Sequence, residues 1–219
     1  MAKVIIVGAG VTARMAHYCF EHDSDHQVIA FAVTKEYLNQ DTFLGLPLVD
    51  FAQVVTLFPP DSYQMFVALG YARMNKLRAQ KYYEAKELGY QLVSYISSRC
   101  TFLTEHSVGD NCFILEDNTI QPFAKIGNDV TLWSGNHIGH DAVIEDHCYL
   151  TSHVVVSGFT RVRRYCFVGV NATLRNAITV APETLIGAGA VIMNDTVEQG
   201  VYLPERAKLF EKKSFEIEL

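Results

Sequence analysis

The chain has 219 residues, of which 49% are apolar and 19% charged, enough to build a full core without disulfide staples. That excludes a disordered segment or a mini-protein. The formal net charge of −6 lacks the basic excess that would neutralise a phosphate backbone, which argues against a general nucleic-acid role and leaves small anionic ligands open.

The opening stretch, MAKVIIVGAG, has one lysine and an apolar run that breaks at glycine. It is too short for a signal-peptide core or a membrane span, so a cytoplasmic protein that meets no membrane is the expectation. KVIIVGAG reads as a buried strand ending in glycine. VTARMAHYCFEH follows with Met15, Tyr18 and Cys19 at helical spacing. HQVIAFAV predicts a second strand, MFVALG a third, ARMNKLRAQKYYEAKELG a helix ended by Gly89, and YQLVSYI a fourth strand. Strands alternating with helices predict a small, Rossmann-like parallel sheet covered on both faces, spanning residues 1–99. The turn GAGVTAR is a weak dinucleotide fingerprint, because its third glycine is missing and no acidic residue ends the second strand.

From Val108 the period changes to six. Val108, Ile114, Ile120, Ile126, Leu132, Ile138, Ile144, Leu150, Val156, Val162, Val168, Leu174, Val180, Ile186 and Ile192 follow without a break. If Ile, Leu or Val fills roughly a quarter of positions, such a run has a vanishing chance probability. Four residues past each aliphatic the side chains are mainly small, among them Cys112, Ala124, Ala142, Cys148, Thr160, Cys166, Ala172 and Ala190. Large and small inward positions alternating at this period predict an all-β parallel β-helix over residues 100–219, tail included. The slot two past the aliphatic is mostly polar or small and reads as outward-facing turn corners. Three of the five cysteines are thereby packing residues. Cys19 and Cys100 add no zinc or disulfide spacing, so all five are expected as reduced thiols.

The repeat resembles that of the left-handed β-helix acyltransferases. The order of an α/β domain followed by such a solenoid resembles the sialic acid O-acetyltransferase and bacillosamine-pathway UDP-amino-sugar N-acetyltransferase group. VIIVGAG, FVALGYARMNKLR, GHDAVIEDH, FVGVNATL, IGAGAVIMND and GVY carry the likeness over nearly the whole chain. The resemblance implies a triangular left-handed helix of roughly five coils, a homotrimer, and acetyl-CoA lying in the groove between neighbouring solenoids. It implies transfer of an acyl group to the amine or hydroxyl of a sugar, nucleotide-linked and destined for surface polysaccharide or glycan, with no metal.

On this resemblance His140 is the general base and Asp141 its assisting carboxylate. Attack on a thioester needs a proton acceptor working near neutrality, which suits an imidazole oriented by a neighbouring acid. Turn amides would hold the oxyanion. Backbone contacts to the cofactor fall on Val170 and Ala188. A family histidine at the thioester end falls on Tyr149, with His153 as a candidate substitute and Asn171, about one coil later on the same face, as a further cofactor contact. Acceptor contacts fall on Gly8, Gly10, Val11 and Thr12, and on Gly70 and Tyr71. Val11, Thr12 and Ala13, with Val33 and Thr34, depart from the usual residues and leave the nucleotide open, as VYLPERAKLFEKK departs at the carboxy end.

Two other readings use the same residues. His137, His140, His147 and His153 invite a trimeric metalloenzyme of the carbonic-anhydrase type, although their spacing differs from that family's. A trimeric scaffold without catalysis is the second. His137 reads as a packing or trimer-interface residue and His147 as a solvated corner, while Arg161, Arg163, Arg164 and Arg175 read as a solvated basic face open to CoA phosphates.

Overall fold

The structure is a computed structural model that describes residues 2–217. Its first layer comprises β1 (Lys3–Val7), α1 (Val11–His22), β2 (Gln27–Val33), β3 (Thr42–Phe43), β4 (Leu46–Asp50), α2 (Val54–Leu57), β5 (Gln64–Val67) and α3 (Lys76–Glu87). The sheet order is β3-β4-β2-β1-β5, parallel except for the β3–β4 hairpin. The expected strands at β1, β2 and β5 are all present. The hairpin is not legible in TFLGLPLVD because its strands are short and one of them contains Pro47, a residue that argues against a strand; left-handed Leu44 and Gly45 make the turn. YQLVSYI does not form a fourth strand of this sheet. Leu92 makes a single bridge to Met65, and Tyr95–Ile96 is already the first strand of the solenoid, paired with Phe113–Ile114. Helix α3 starts at Lys76, later than expected, because Arg73, Met74 and Asn75 are all left-handed, with φ of 53°, 52° and 64°.

The solenoid stacks two-residue strands into three parallel sheets. The first face carries seven strands from Tyr95–Ile96 to Val201–Tyr202, the second six from Thr101–Phe102 to Val191–Ile192, and the third four from Lys125–Ile126 to Thr179–Val180. Pairs such as Thr131 with Tyr149 and His137 with Val155 fix one coil at eighteen residues. The period-six aliphatics and the small slots form one continuous core, in which Ile114, Ile138, Ala142, Cys148, Leu150 and Cys166 are fully buried. Val108 itself lies outside any strand and packs only partly against that core.

Every sixth residue from Asn111 to Gly189 has positive φ, and this is what turns each corner. At one of them Asp141 (φ 57°) lets the Ala142 N–H donate back to the Gly139 carbonyl at 3.2 Å. Asn and Asp tolerate that conformation, whereas Phe123, Phe159 and Tyr165 are held there by the stacked coils at about 1 kcal/mol each. The first layer sits on the first face, where Phe20, Phe31 and Phe66 share a core with Tyr95, Phe113, Leu115 and Trp133.

Candidate active site

The solenoid disperses the four histidines. His137 lies on the second face, His140 at the corner from the second to the third, His147 at the corner from the third to the first, and His153 at the corner from the first to the second. Among the described residues no three His, Cys, Asp or Glu side chains converge as a metal set would. His147 is not solvated. It is 2% exposed, with Nδ1 bonded to Asp129 at 2.9 Å and Nε2 to the Tyr83 hydroxyl at 2.8 Å, because α3 covers its corner. Arg161 and Arg163 lie on the third face and pair with Glu145.

His140 remains open, with 48% of its side chain exposed. Its backbone N–H donates to Gln121 Oε1 at 2.9 Å, and its Nδ1 lies 2.9 Å from Asp141 Oδ2. An ionised carboxylate only accepts, so Nδ1 carries the proton and the Nε2 lone pair is free. The ring lies across Gly158, one coil further on, and edge-on to Phe159 at 4.9 Å between centroids. A Cβ at Gly158 would stand 2.7 Å from Nε2. Gly139, just before the histidine, meets the backbone of that same coil, where a Cβ would lie 2.5 Å from the Gly158 nitrogen. One glycine therefore brings the coils together and the other makes room for the ring. Gly158 and Gln121 do not stand out in the sequence; Gly158 stands one coil of eighteen residues ahead of His140, and Gln121 stands nineteen residues behind it, next to the coil-equivalent Pro122.

The residues carried over for the cofactor occupy the corner between the first and second faces. Val170, Asn171, Ala188 and His153 are exposed there, on successive coils. Among the described residues the Val170 and Ala188 N–H groups donate to no protein acceptor, while their neighbours Asn171 and Gly189 do. Two free donors one coil apart are a ready site for carbonyl or phosphate oxygens. The His153 ring folds back over Gly135. Tyr149 is on the first face and 3% exposed, its hydroxyl accepting from Trp133 Nε1 at 2.5 Å. Its ring packs against Tyr71 at 5.2 Å and Phe167 at 5.8 Å, so in one chain it lines the junction with the first layer.

The residues carried over for the acceptor do come together. Strand order reverses between β1 and β5, and Gly8 and Gly10 follow β1 while Gly70 and Tyr71 follow β5. That is where open α/β sheets leave a crevice. Gly8 is buried at φ 124°, and a Cβ there would stand 2.9 Å from the Ala68 carbonyl oxygen. Gly10 and Gly70 face open space. Gly10 is the N-cap of α1, which has no side-chain cap and no acid in its first turn, with exposed Val11 and half-buried Thr12 beginning the helix. Its unmet N–H groups favour an anion. The same chain does not bring His140 to this crevice, since the first layer covers the first face and His140 stands at the opposite vertex.

Residues 123–158 match the bacterial transferase hexapeptide model, described as six repeats. The solenoid is a hexapeptide-repeat, left-handed β-helix. A relative in Xylella fastidiosa (strain Temecula1), an acyl-[acyl-carrier-protein]–UDP-N-acetylglucosamine O-acyltransferase, is 34% identical over 47% of this chain and 50% of its own. This chain thus spans about half the length of the curated relatives it matches. A histidine-to-asparagine variant of perosamine N-acetyltransferase from Caulobacter crescentus, in complex with CoA and GDP-perosamine, superposes with a TM-score of 0.81 at 22% identity. That likeness covers 97% of this chain and 98% of the other. The acetyltransferase domain of PglB from Neisseria gonorrhoeae gives 0.80 at 20% identity over 96% and 100%. These likenesses show the two-part fold. No helix among the described residues is long and apolar enough to cross a membrane.

Proposed function

We propose that this chain is a cytoplasmic acyl-CoA-dependent sugar transferase, which moves acetyl from acetyl-CoA to an amine or hydroxyl of a nucleotide-linked sugar used in surface polysaccharide or glycan synthesis. The observation that carries the proposal is the His140–Asp141 pair, with Nδ1 occupied by the carboxylate and Nε2 open over Gly158. The fold it shares with acetyltransferases seen with CoA and GDP-perosamine supports the choice of substrates.

His140 Nε2 removes the proton as the acceptor nitrogen or oxygen attacks the thioester carbonyl. The tetrahedral oxyanion is held by backbone donors such as the free Val170 and Ala188 N–H groups. Collapse breaks the C–S bond, and the imidazolium returns its proton to the CoA thiolate. Asp141 keeps Nδ1 protonated and steadies the positive ring. Since the base, the free-amide corner and the acceptor crevice lie on different sides of one prism, the complete site needs neighbouring copies, as a trimer around the solenoid axis would supply.

The test is a panel of UDP-, GDP- and dTDP-linked amino sugars with acetyl-CoA, read by thiol release. One or more acceptors should turn over, and His140→Ala should lower kcat by about 10³-fold with assembly and acetyl-CoA affinity retained. Absence of thiol release and of acetyl-CoA binding by calorimetry would favour the scaffold reading. Unchanged turnover in His140→Ala would remove the histidine from the mechanism.

A further inference from the structure

The two ends of the loop that carries Gly70 and Tyr71 are tied to the solenoid by buried polar contacts. Along its inner edge β5 pairs with β1; along its outer edge Met65 bonds to Gln91 and Val93. Val67 comes next on the outer edge, with no strand beside it. Its N–H donates to Asn111 Oδ1 at 2.7 Å and its carbonyl accepts from Asn111 Nδ2 at 3.2 Å. One solenoid side-chain amide thus takes the place of the next residue of a strand.

Asn111 is itself held by Asp129, whose Oδ1 accepts from Asn111 Nδ2 at 2.7 Å and from Arg78 Nε at 3.0 Å. The other carboxylate oxygen faces His147 Nδ1. Arg78 also donates to the Asp129 and Cys148 carbonyls, at 2.9 and 3.2 Å. Between Val67 and Arg78 the fully buried Asn75 donates to the Tyr165 and Cys166 carbonyls, at 3.4 and 3.1 Å. One carboxylate therefore anchors the front of the loop through Asn111 and the back through Arg78. Tyr71 stands between them, 55% exposed, on the rings of Tyr149 and Phe167.

Apolar packing would hold two layers together without desolvating an ion pair, whereas directional polar contacts select one register. We propose that Asn111, Asp129 and Arg78, with Asn75, are positioning residues that hold loop 68–75 rigid, so that the Gly70 backbone and Tyr71 ring form a preset floor for the nucleotide-sugar acceptor. The identity of that ligand rests on the transferase function proposed above.

Asn111→Gly and Asn75→Gly are matched probes. Both positions are left-handed, with φ of 54° and 64°, so glycine keeps the backbone and leaves the Arg78–Asp129 pair intact. Three readouts are needed: hydrogen exchange of the segment 65–75, KM for acceptor and for acetyl-CoA, and calorimetric binding of GDP and UDP. In both variants exchange should accelerate in that segment alone. KM for the acceptor and Kd for the preferred nucleotide should rise about tenfold with acetyl-CoA KM near wild type, while Tm falls by several degrees without loss of the fold, because buried backbone groups lose their partners. The proposal is overturned by unchanged exchange, by faster exchange with unaltered acceptor KM and nucleotide Kd, or by both KM values rising together with a lost Tm. If the wild type binds a nucleotide but transfers no acyl group, the transferase function fails and the exchange and binding arms still decide the loop. If it binds none, the positioning role falls too.

Discussion

Gly158→Ala displaces the candidate base without touching it. The new Cβ would stand 2.7 Å from His140 Nε2, 2.9 Å from Cε1 and 3.1 Å from Cδ2, all in one side chain. Ordinary contact between such atoms begins near ~3.5 Å, so the ring must retreat by roughly 1 Å. A displacement of that size at a reacting group costs about 100-fold, or ~2.7 kcal/mol in the barrier. Gly158 has no positive φ, so the methyl itself is compatible with the backbone and stabilises by about 0.4–1 kcal/mol through the unfolded chain. Steady-state thiol release should show kcat reduced about 100-fold, while thermal unfolding gives an unchanged or slightly raised Tm. Gly139→Ala is the contrasting control. Its Cβ meets backbone atoms of Val156, Ser157 and Gly158, the nearest at 2.5 Å, so it should lower Tm strongly by forcing the coils apart. If Gly158→Ala keeps turnover within twofold while imidazole chemical shifts show a moved ring, the position of Nε2 does not govern the reaction.

Arg78→Met should destabilise by about 3–5 kcal/mol in urea, because it leaves Asp129 buried without its cation; adding Asp129→Asn should cost less than the sum of the two single changes, and strict additivity would deny the coupling. Asp23 ties the end of α1 to the first coil through the Ser98 N–H, the Tyr95 hydroxyl and Ser97, and bonds from Ser98 and then Tyr95 hold its carboxyl at about 2, below the ordinary 3.8. A depressed folded pKa stabilises above 3.8 and is lost as pH falls towards 2. Urea midpoints should therefore show a wild-type advantage over Asp23→Asn, on the order of 1 kcal/mol after screening, that fades between pH 4 and 2; a constant advantage would refute the assignment. Burial pushes the Cys112 thiol up to about 12 and raises Cys148 strongly, so both should resist a disulfide reagent at pH 8 until guanidinium is added, and rapid native labelling of either would contradict the packed core.

What the sequence determined by itself is the solenoid, because each coil repeats one local demand: an aliphatic at the inward large position and a small residue four later. That demand is one-dimensional, so the run from Ile114 to Ile192 could be read without knowing what lies beside it. The strands β1, β2 and β5, and the glycines that follow β1 and β5, were legible because short apolar runs and their breaks are also local signals. Contacts distant in sequence decided the rest. His140 and His147 both stand at coil corners, His147 on the left-handed residue itself and His140 just before one, yet which of the two stays open is decided by α3, which covers the corner of His147 and leaves that of His140 exposed. Asn111 and Asp129 look like ordinary left-handed corner residues until β5 and Arg78 reach them. Gly158 reads as a turn glycine until His140, eighteen residues earlier and one coil away, lies across it. A repeat determines which residues face inward; which outward residues stay free for chemistry depends on what packs against them.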